Sequence, residues 1–564
     1  MNKVFGQLFA EFGAMLGRME HIKLGFYAGR ADKAQRRVLR DLMRINKNTE
    51  YGKKYSFSQV KSVEDYQRLV PLTDYDDYIP YIDRMVAGEK RILTKMWVTK
   101  YADSSGSVGK PKLIPLSART QWVCQCFSFS APVGCAYKYF KRQGRRIPPQ
   151  KGLLTLEITS HKLPNGCTRS CLSGIPLMYL KPIVPFIATS PMEVMFPKEP
   201  EKMDMFYLKL RYALADRKVS YIGTMIITVL ENMMQYLESN WQLICDDIEK
   251  GTIDASIRMP EDVRKKLTKR LKPNPKRAKE LRAEFEKGFD TPVFKRIWPK
   301  LEWMYGMGAG TITVYAEKLR RYSGDLPVHH MGYGASEALM AVPLELDSED
   351  FAMLPQNGFY EFLPVDAPEG AAPVTIDKLE VGKEYEIILT NLSGLYRYRI
   401  GDVLRVNGFY KKTPTVSFMY RLNEVVNICG EKTSKKVLDW SVHTTMDRLG
   451  VQLTDYCVYP DTSCVPGKYV ILAEAKEHIP ASRSGEFAAV FDEVLGQANY
   501  YIATGRKFGS LTDSEFHFLK PGTYAQWSEY RKSLGINLNQ VKPVKVINSP
   551  EKKEFFFGRI DESE

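Results

Sequence analysis

Between about residues 150 and 350, short apolar runs such as GLLTLEI and YIGTMIITVL alternate with helical patterns such as MDMFYLKLRYALADR and ENMMQYLESNWQLICDDIEK. Strands separated by helices pair by crossing over to parallel neighbours, so this stretch predicts an α/β layer with largely parallel sheet. From about 355 to 420 the pattern changes to GFYEFLPV, EYEIILT, GLYRYRIGDVLRV and TVSFMYRL, short strands separated by Gly, Pro and Asn turns. That pattern predicts an antiparallel sheet or barrel. Beyond Asn423, helix and strand mix again over a domain-sized length. A chain of 564 residues exceeds what one core usually holds. The predicted organisation is a large domain over 1–422, a hinge at 423–432 and a smaller domain over 433–564.

The first residues, MNKVFGQLFAEFGAMLGRMEHIKLGFY, carry apolar side chains at helical spacing interrupted by Glu11, Arg18 and Glu20. This predicts an amphipathic helix packed on the body and not a signal peptide. No run approaches the eighteen apolar residues that a membrane span needs. A soluble cytoplasmic protein without a membrane partner is expected. The nine cysteines, among them 124 and 126 and 167 and 171, fit no disulfide framework. Cys167 and Cys171 lack a second pair at zinc-ligand spacing, so buried, reduced thiols are expected.

The net charge of +15 suggests a partner bearing phosphates or acidic groups. Much of it is local: Glu261 to Gly288 holds eleven Lys/Arg against five Asp/Glu, divided by Pro273-Asn274-Pro275 into two helical pieces. No aromatic residue is interleaved for stacking from Arg264 to Arg282, so the segment reads as a solvated helical face and nucleic acid is not expected as a partner.

Three segments carry possible chemistry. Trp97 to Tyr101 is strand-like and leads into Ser104-Ser105-Gly106-Ser107-Val108-Gly109-Lys110-Pro111-Lys112. Small residues let backbone N–H groups converge on an anion, hydroxyls add donors and lysine adds charge, which suits a polyphosphate. It is not a Walker loop: two residues separate Gly106 from Gly109, and Pro111 follows Lys110 where Ser or Thr should bind magnesium. Alone, such a turn is more often a flexible surface loop. The second segment, GYGASEALM, brings Tyr333, Ser336 and Glu337 to a strand end; Glu337 reads as a magnesium ligand or as a helix-start carboxylate. The third, GLYRYRIGDVLRV, ends its alternation at Gly401-Asp402, where a carboxylate can accept two ribose hydroxyls or simply occupy a turn.

In this order, with Arg421 nineteen residues after Asp402, the segments resemble the adenylate-forming enzymes of the firefly-luciferase type. SSGSVGKPKLIP, YGASE and YRYRIGD are similar to the signature motifs of the auxin-responsive Gretchen Hagen-type acyl acid amido synthetases. PLTDYDDYIPYIDRMVAGE, PNPKRAKEL, GEKTSKKV, PGTYAQW and NQVKPVK extend the resemblance nearly end to end. The resemblance implies an α/β fold: a large N-terminal adenylate-forming domain with mixed sheets and a barrel-like part, plus a smaller mobile α+β domain. It also implies ATP, Mg2+, a small carboxylic acid and an amino acid or other amine as reactants.

Carried over by residue, it implies that Ser104, Ser105, Gly106 and Ser107, with Lys112, form the phosphate loop. Ser107 stands where the family usually has Thr, and Val108 where a small polar residue is common. Tyr333, Gly334, Ala335 and Ser336 would line the adenine and α-phosphate, Glu337 would hold Mg2+, and Asp402 the ribose, assisted by Arg421. The small domain would supply a catalytic lysine. Lys542 in NQVKPVK matches best, but proline follows it directly and Lys545 replaces arginine, so Lys545 or Lys432 in GEK could serve instead. The acyl pocket would draw on Gln121 to Phe129, on 221–225 and on 305–310. Glycines at 306, 308 and 310 lack dinucleotide-site spacing and read as room for a flat substrate.

The reaction expected is acid activation as an acyl-adenylate followed by amide formation. Two alternatives stay open: a thiol acceptor such as coenzyme A, and a nucleotide-binding homologue that has lost turnover.

Overall fold

The computed structural model describes residues 2–104, 112–149, 151–158, 160–170, 175–179, 181–307, 319–368, 370–422, 424–431, 433–533 and 544–563. They divide into two compact units, the larger built of Met1–Ser104 and Leu113–Tyr420, the smaller of Arg421–Glu564 together with Lys112.

In the larger unit, the strands Gly152–Leu154, Tyr221–Ile226, Trp303–Met307 and Val328–His330 lie side by side and all run parallel. Helices Met205–Ala215 and Ile227–Lys250 occur where the apolar periodicity predicts them. The run YIGTMIITVL is only half strand, because the helix begins at Ile227. Apolar residues buried on every side suit a central strand and a buried helical turn equally, so periodicity does not mark the switch. The basic segment forms two helices, Glu261–Thr268 and Pro275–Phe285. It is less solvated than expected: Arg277 is buried and donates to Leu214 O at 2.7 Å and Ile297 O at 2.6 Å.

The antiparallel region is an eight-stranded sheet. Its order is Val374–Thr375, Gly358–Pro364, Glu384–Asn391, Tyr398–Tyr410, Thr413–Arg421, Phe351–Met353, Ala338–Pro343 and Tyr333–Ala335. One core joins it to the helices of the first hundred residues through Leu39, Leu42, Tyr51, Tyr78, Leu389 and Tyr396. The segment PLTDYDDY lies against its fourth strand. Thr73 N–H donates to Arg397 O at 3.1 Å, and the Thr73 carbonyl accepts from Arg399 N–H at 2.8 Å.

Helix Asn2–Ala28 packs on helix Ala118–Arg142 mainly through small residues and Leu24, which shares a core with Ala131. Ala10 and Ala14 are buried against the body, while Leu8, Phe12, Met15, Met19, Ile22 and Phe26 are exposed. The two backbones nearly touch: a Cβ on Gly134 would stand 3.0 Å from Gly17 Cα, so only small residues fit between them. Among the described residues, no helix is long and apolar enough to cross a membrane.

The smaller unit is α+β. Strand Lys468–Ala475 pairs antiparallel with Leu453–Asp461 and parallel with Glu515–Phe518, beside helices Lys435–Arg448 and Ser484–Ala498.

Candidate active site

Strands Val98–Ser104 and Lys112–Ser117 are neighbours in a four-stranded sheet with Thr168–Ser170 and His161–Lys162. Ser104 ends the first of these strands and Lys112 opens the second; Ser105, Gly106, Ser107 and Val108 between them lie outside the described residues. The base of the loop is firmly held. Leu113 N–H donates to the buried Tyr75 hydroxyl at 2.7 Å, and burial pushes that phenol up to about 12. At the far end Ser117 caps the following helix by accepting from Thr120 N–H at 3.3 Å, and donates to Leu392 O at 3.0 Å. Ser393 Oγ accepts from Ser117 N–H at 2.9 Å and shares a 2.8 Å bond with Thr120 Oγ1. The strand leaving the first segment is thus tied to the loop that opens the third.

The second segment is a β-hairpin at the edge of the eight-stranded sheet. Ala335 pairs with Ala338, so Ser336 and Glu337 form a two-residue connection. Glu337 is therefore a hairpin-tip residue and does not start a helix. It is nevertheless buried, and Asn391 Nδ2 donates to its backbone carbonyl at 3.1 Å. Among the described residues its carboxylate has no ion-pair partner, and a buried carboxylate of this kind suits a bound cation.

Asp402 sits within strand Tyr398–Tyr410 at an irregularity. Ile388 faces Arg399 and Glu386 faces Val403, so four steps on this strand answer two on its neighbour. Gly401, at φ +82, supplies the left-handed conformation that the bulge requires. The bulge turns Asp402 into the interior, where it accepts from the Tyr333 hydroxyl at 2.7 Å. The Tyr333 ring also stacks on Phe418 at 6.3 Å between centroids. Four strand steps separate Tyr333 from Asp402 in the order of the sheet. A flat sheet would hold those strands about 19 Å apart, farther than the two side chains reach, so the contact requires the sheet to curl.

Each of the three profiles for the GH3 family finds its match in turn along this chain: the GH3 family N-terminal domain over residues 23–328, the central domain over 351–421 and the C-terminal domain over 436–551. The chain belongs to the GH3 family. It is 30% identical to the indole-3-acetic acid-amido synthetase GH3.8 of Oryza sativa subsp. indica, over 94% of this chain and 90% of that one. To the jasmonoyl-L-amino acid synthetase GH3.5 of Oryza sativa subsp. japonica it is 27% identical, over 93% of each. The solved structure of AtGH3.15 acyl acid amido synthetase in complex with 2,4-DB superposes with a TM-score of 0.64 at 26% identity, covering 95% of both chains.

Within this GH3 chain, the second and third motifs meet through Tyr333 and Asp402. Gly334 and Ala335 lie on the same edge strand as Tyr333. Arg421 ends strand Thr413–Arg421, and Lys432 and Lys542 lie outside the described residues. Lys545 is committed elsewhere: it pairs with Asp455 at 2.6 Å and sits 4.0 Å from the Tyr456 ring centroid.

Several supporting residues escape sequence reasoning. Arg397 is buried at φ +46 and donates to Glu361 at 3.0 Å and to Gln67 O and Val70 O at 2.8 Å, bracing the strand that carries Asp402. Glu431 is buried beside Lys432. Its carboxylate accepts from Ile428 and Cys429 N–H at 2.7 Å each and from Tyr469 at 2.6 Å, fixing this turn to the smaller unit. At the expected acyl pocket, the open space read from the glycines is partly filled. The Tyr305 ring lies over Gly223, and Thr224 packs on Gly306; Gly308 and Gly310 lie outside the described residues. Gln121 is held by donating to Thr99 Oγ1 at 2.6 Å and accepting from Tyr179 at 3.0 Å.

Proposed function

We propose that this chain is an ATP-dependent acyl acid amido synthetase. The carboxylate of a small organic acid attacks the α-phosphorus of ATP and pyrophosphate departs, leaving an acyl-adenylate. The amine of an amino acid then attacks the acyl carbonyl, giving the amide and AMP. The observation that carries this reading is the Tyr333–Asp402 bond, which ties the second motif to the third in a member of a family whose named relatives are amido synthetases.

The residue roles follow from chemistry. Backbone N–H groups and hydroxyls of Ser104, Ser105, Gly106 and Ser107, with Lys112, hold the β- and γ-phosphates. Asp402 accepts ribose hydroxyls while Tyr333 fixes its orientation, and Arg421 assists at the sugar. Tyr333, Gly334, Ala335 and Ser336 border the adenine and α-phosphate. Glu337 would hold Mg2+, which neutralises phosphate charge when bound. Lys542 stabilises the charge that grows on the α-phosphate and carboxylate oxygens. We place the mobile joint in 423–432, on the N-terminal side of Asn427, because Glu431 holds residues 428–431 to the smaller unit. The reaction has only soluble reactants and fits the cytoplasm.

The test is acid-dependent exchange of labelled pyrophosphate into ATP, followed by product mass analysis with amino acids or coenzyme A. Exchange with an acid such as indole-3-acetate or jasmonate, and an amide product, are expected. A thioester as the only product would transfer the reading to a thiol acceptor, and no exchange across a broad acid panel would overturn it.

A further inference from the structure

Asn391 belongs to none of the three motif segments, yet its hydrogen bonds reach toward all of them. It ends strand Glu384–Asn391 and its side chain is completely buried. Nδ2 donates to Glu337 O at 3.1 Å, while Oδ1 accepts from Ser393 N–H at 2.9 Å and from Leu395 N–H at 3.0 Å. The amide fits one way round only. Turned over, it would set its NH2 against two backbone N–H groups and its oxygen against a carbonyl. Asn391 N–H also donates to Leu395 O at 3.0 Å, so side chain and backbone together close the turn 391–395.

That turn stands between the first and third motifs. Ser393, also completely buried, accepts from Ser117 N–H at 2.9 Å, at the end of the strand that leaves the phosphate loop. Beyond Leu395 the chain passes into strand Tyr398–Tyr410, which carries Asp402. The preceding residue, Thr390, accepts from Arg397 N–H at 3.0 Å and so fixes the approach to that strand.

The hairpin carrying Glu337 needs an anchor of this kind. Strand Tyr333–Ala335 is outermost in the eight-stranded sheet, so one of its sides has no strand partner. The Tyr333 hydroxyl ties the base of the hairpin to Asp402, four residues short of Glu337. Ser336 and Glu337 lie beyond the last ladder pair, Ala335 with Ala338, so their backbone groups must find partners outside the ladder. Holding the Glu337 carbonyl restrains rotation about the Cα–C bond of Glu337 and thereby the direction in which its side chain leaves the backbone. An asparagine that merely closed a turn would use its oxygen alone; here the NH2 group is spent on Glu337.

We infer that Asn391 is a positioning residue for the adenylation step: by holding the Glu337 carbonyl it aims the Glu337 carboxylate at the cation of the nucleotide and ties it to the strands that carry the phosphate loop and Asp402. The inference rests on the assignment of Glu337 to Mg2+.

Asn391→Ser tests it. A serine oxygen can still accept from Ser393 N–H in the shorter form of the same turn, but it does not reach Glu337. Deuterium uptake by the backbone of 333–340 should quicken. The Mg2+ concentration that half-saturates pyrophosphate exchange should rise about tenfold, the lower end of what losing a residue that orients a metal ligand costs. The KM for the acid should stay within about twofold, since a Mg2+-specific loss leaves acid binding alone. Ser393→Ala, in the same turn but without contact to Glu337, should leave the Mg2+ dependence near that of the wild type. An equal Mg2+ shift in Ser393→Ala would show that Asn391 acts only by closing the turn and overturns the inference. So does an unchanged Mg2+ dependence in Asn391→Ser; if Glu337→Gln is shifted in the same assay, the assignment of Glu337 to Mg2+ stands without it. If Glu337→Gln is unshifted as well, that assignment fails and the inference fails with it. Should the wild type show no exchange, the Mg2+ dependence of ATP binding by calorimetry gives the same comparison among the same variants.

Discussion

The Tyr333 hydroxyl donates to Asp402 Oδ2 at 2.7 Å across a stretch of 69 residues, and both side chains are buried. Losing this donor to a buried carboxylate loosens the hold on the orientation of the acid. Tyr333→Phe should therefore lower pyrophosphate exchange roughly tenfold at limiting ATP, with most of the effect in the KM for ATP. Asp402→Ala should lower it further. Equal KM values in wild type and Tyr333→Phe would remove Tyr333 from the nucleotide site.

Glu337 is buried at the tip of a two-residue hairpin without an ion-pair partner among the described residues. Glu337→Gln preserves the shape and removes the charge. The Mg2+ concentration that half-saturates exchange should rise at least tenfold, and maximal exchange should drop on the order of a hundredfold. An unchanged Mg2+ titration would assign the metal to other groups.

The parts of this site that follow local rules were legible beforehand. A strand into a small-residue loop, a glycine-bearing strand before Glu337 and an alternating strand ending at Gly401-Asp402 are all short-range patterns. What brings them together was not. The Tyr333–Asp402 bond depends on the curl of an eight-stranded sheet, and the Ser117–Ser393 tie on packing between residues 276 apart. Arg397 looked like one more strand residue until its left-handed backbone and buried bond to Glu361 were visible. How the first helix seats on the body follows from a related cause. Helical periodicity reports that one face is apolar, but not whether that face or a row of small residues meets the body.

The three candidate lysines separate by experiment because one of them has structural partners. Lys545 bridges to Asp455 and Tyr456 within the smaller unit, so Lys545→Ala should cost about 1 kcal/mol of stability there and leave exchange within a fewfold of wild type. Lys542→Ala should cut adenylation roughly a hundredfold or more with little change in melting temperature. If Lys545→Ala is the inactive variant and Lys542→Ala the normal one, the roles are exchanged.

Stability should fall in mild acid because two histidines, the buried His329 and the half-buried His21, are held without charge. His329 has neither ring nitrogen bonded among the described residues, and burial, with His330 and His21 nearby, lowers it to about 3. His21 lies 3.8 Å from Cys135 Sγ; burial, reinforced by the Lys138 charge, lowers it to about 4. Carboxylates nearest this cluster, Glu349 and Asp347, act on His330, whose burial still leaves it lowered. The unfolded chain takes up protons below about pH 6.5 while the folded chain does not. The contribution is therefore fully present above pH 6.5 and is lost progressively as pH falls toward 4 and 3. At pH 5 the loss should be about 2 kcal/mol for each of the two histidines. Urea denaturation at pH 7.5 and 5.0 reads this directly: His329→Phe should remove about half of the difference. A difference of the same size in wild type and variant would place the acid sensitivity outside this cluster.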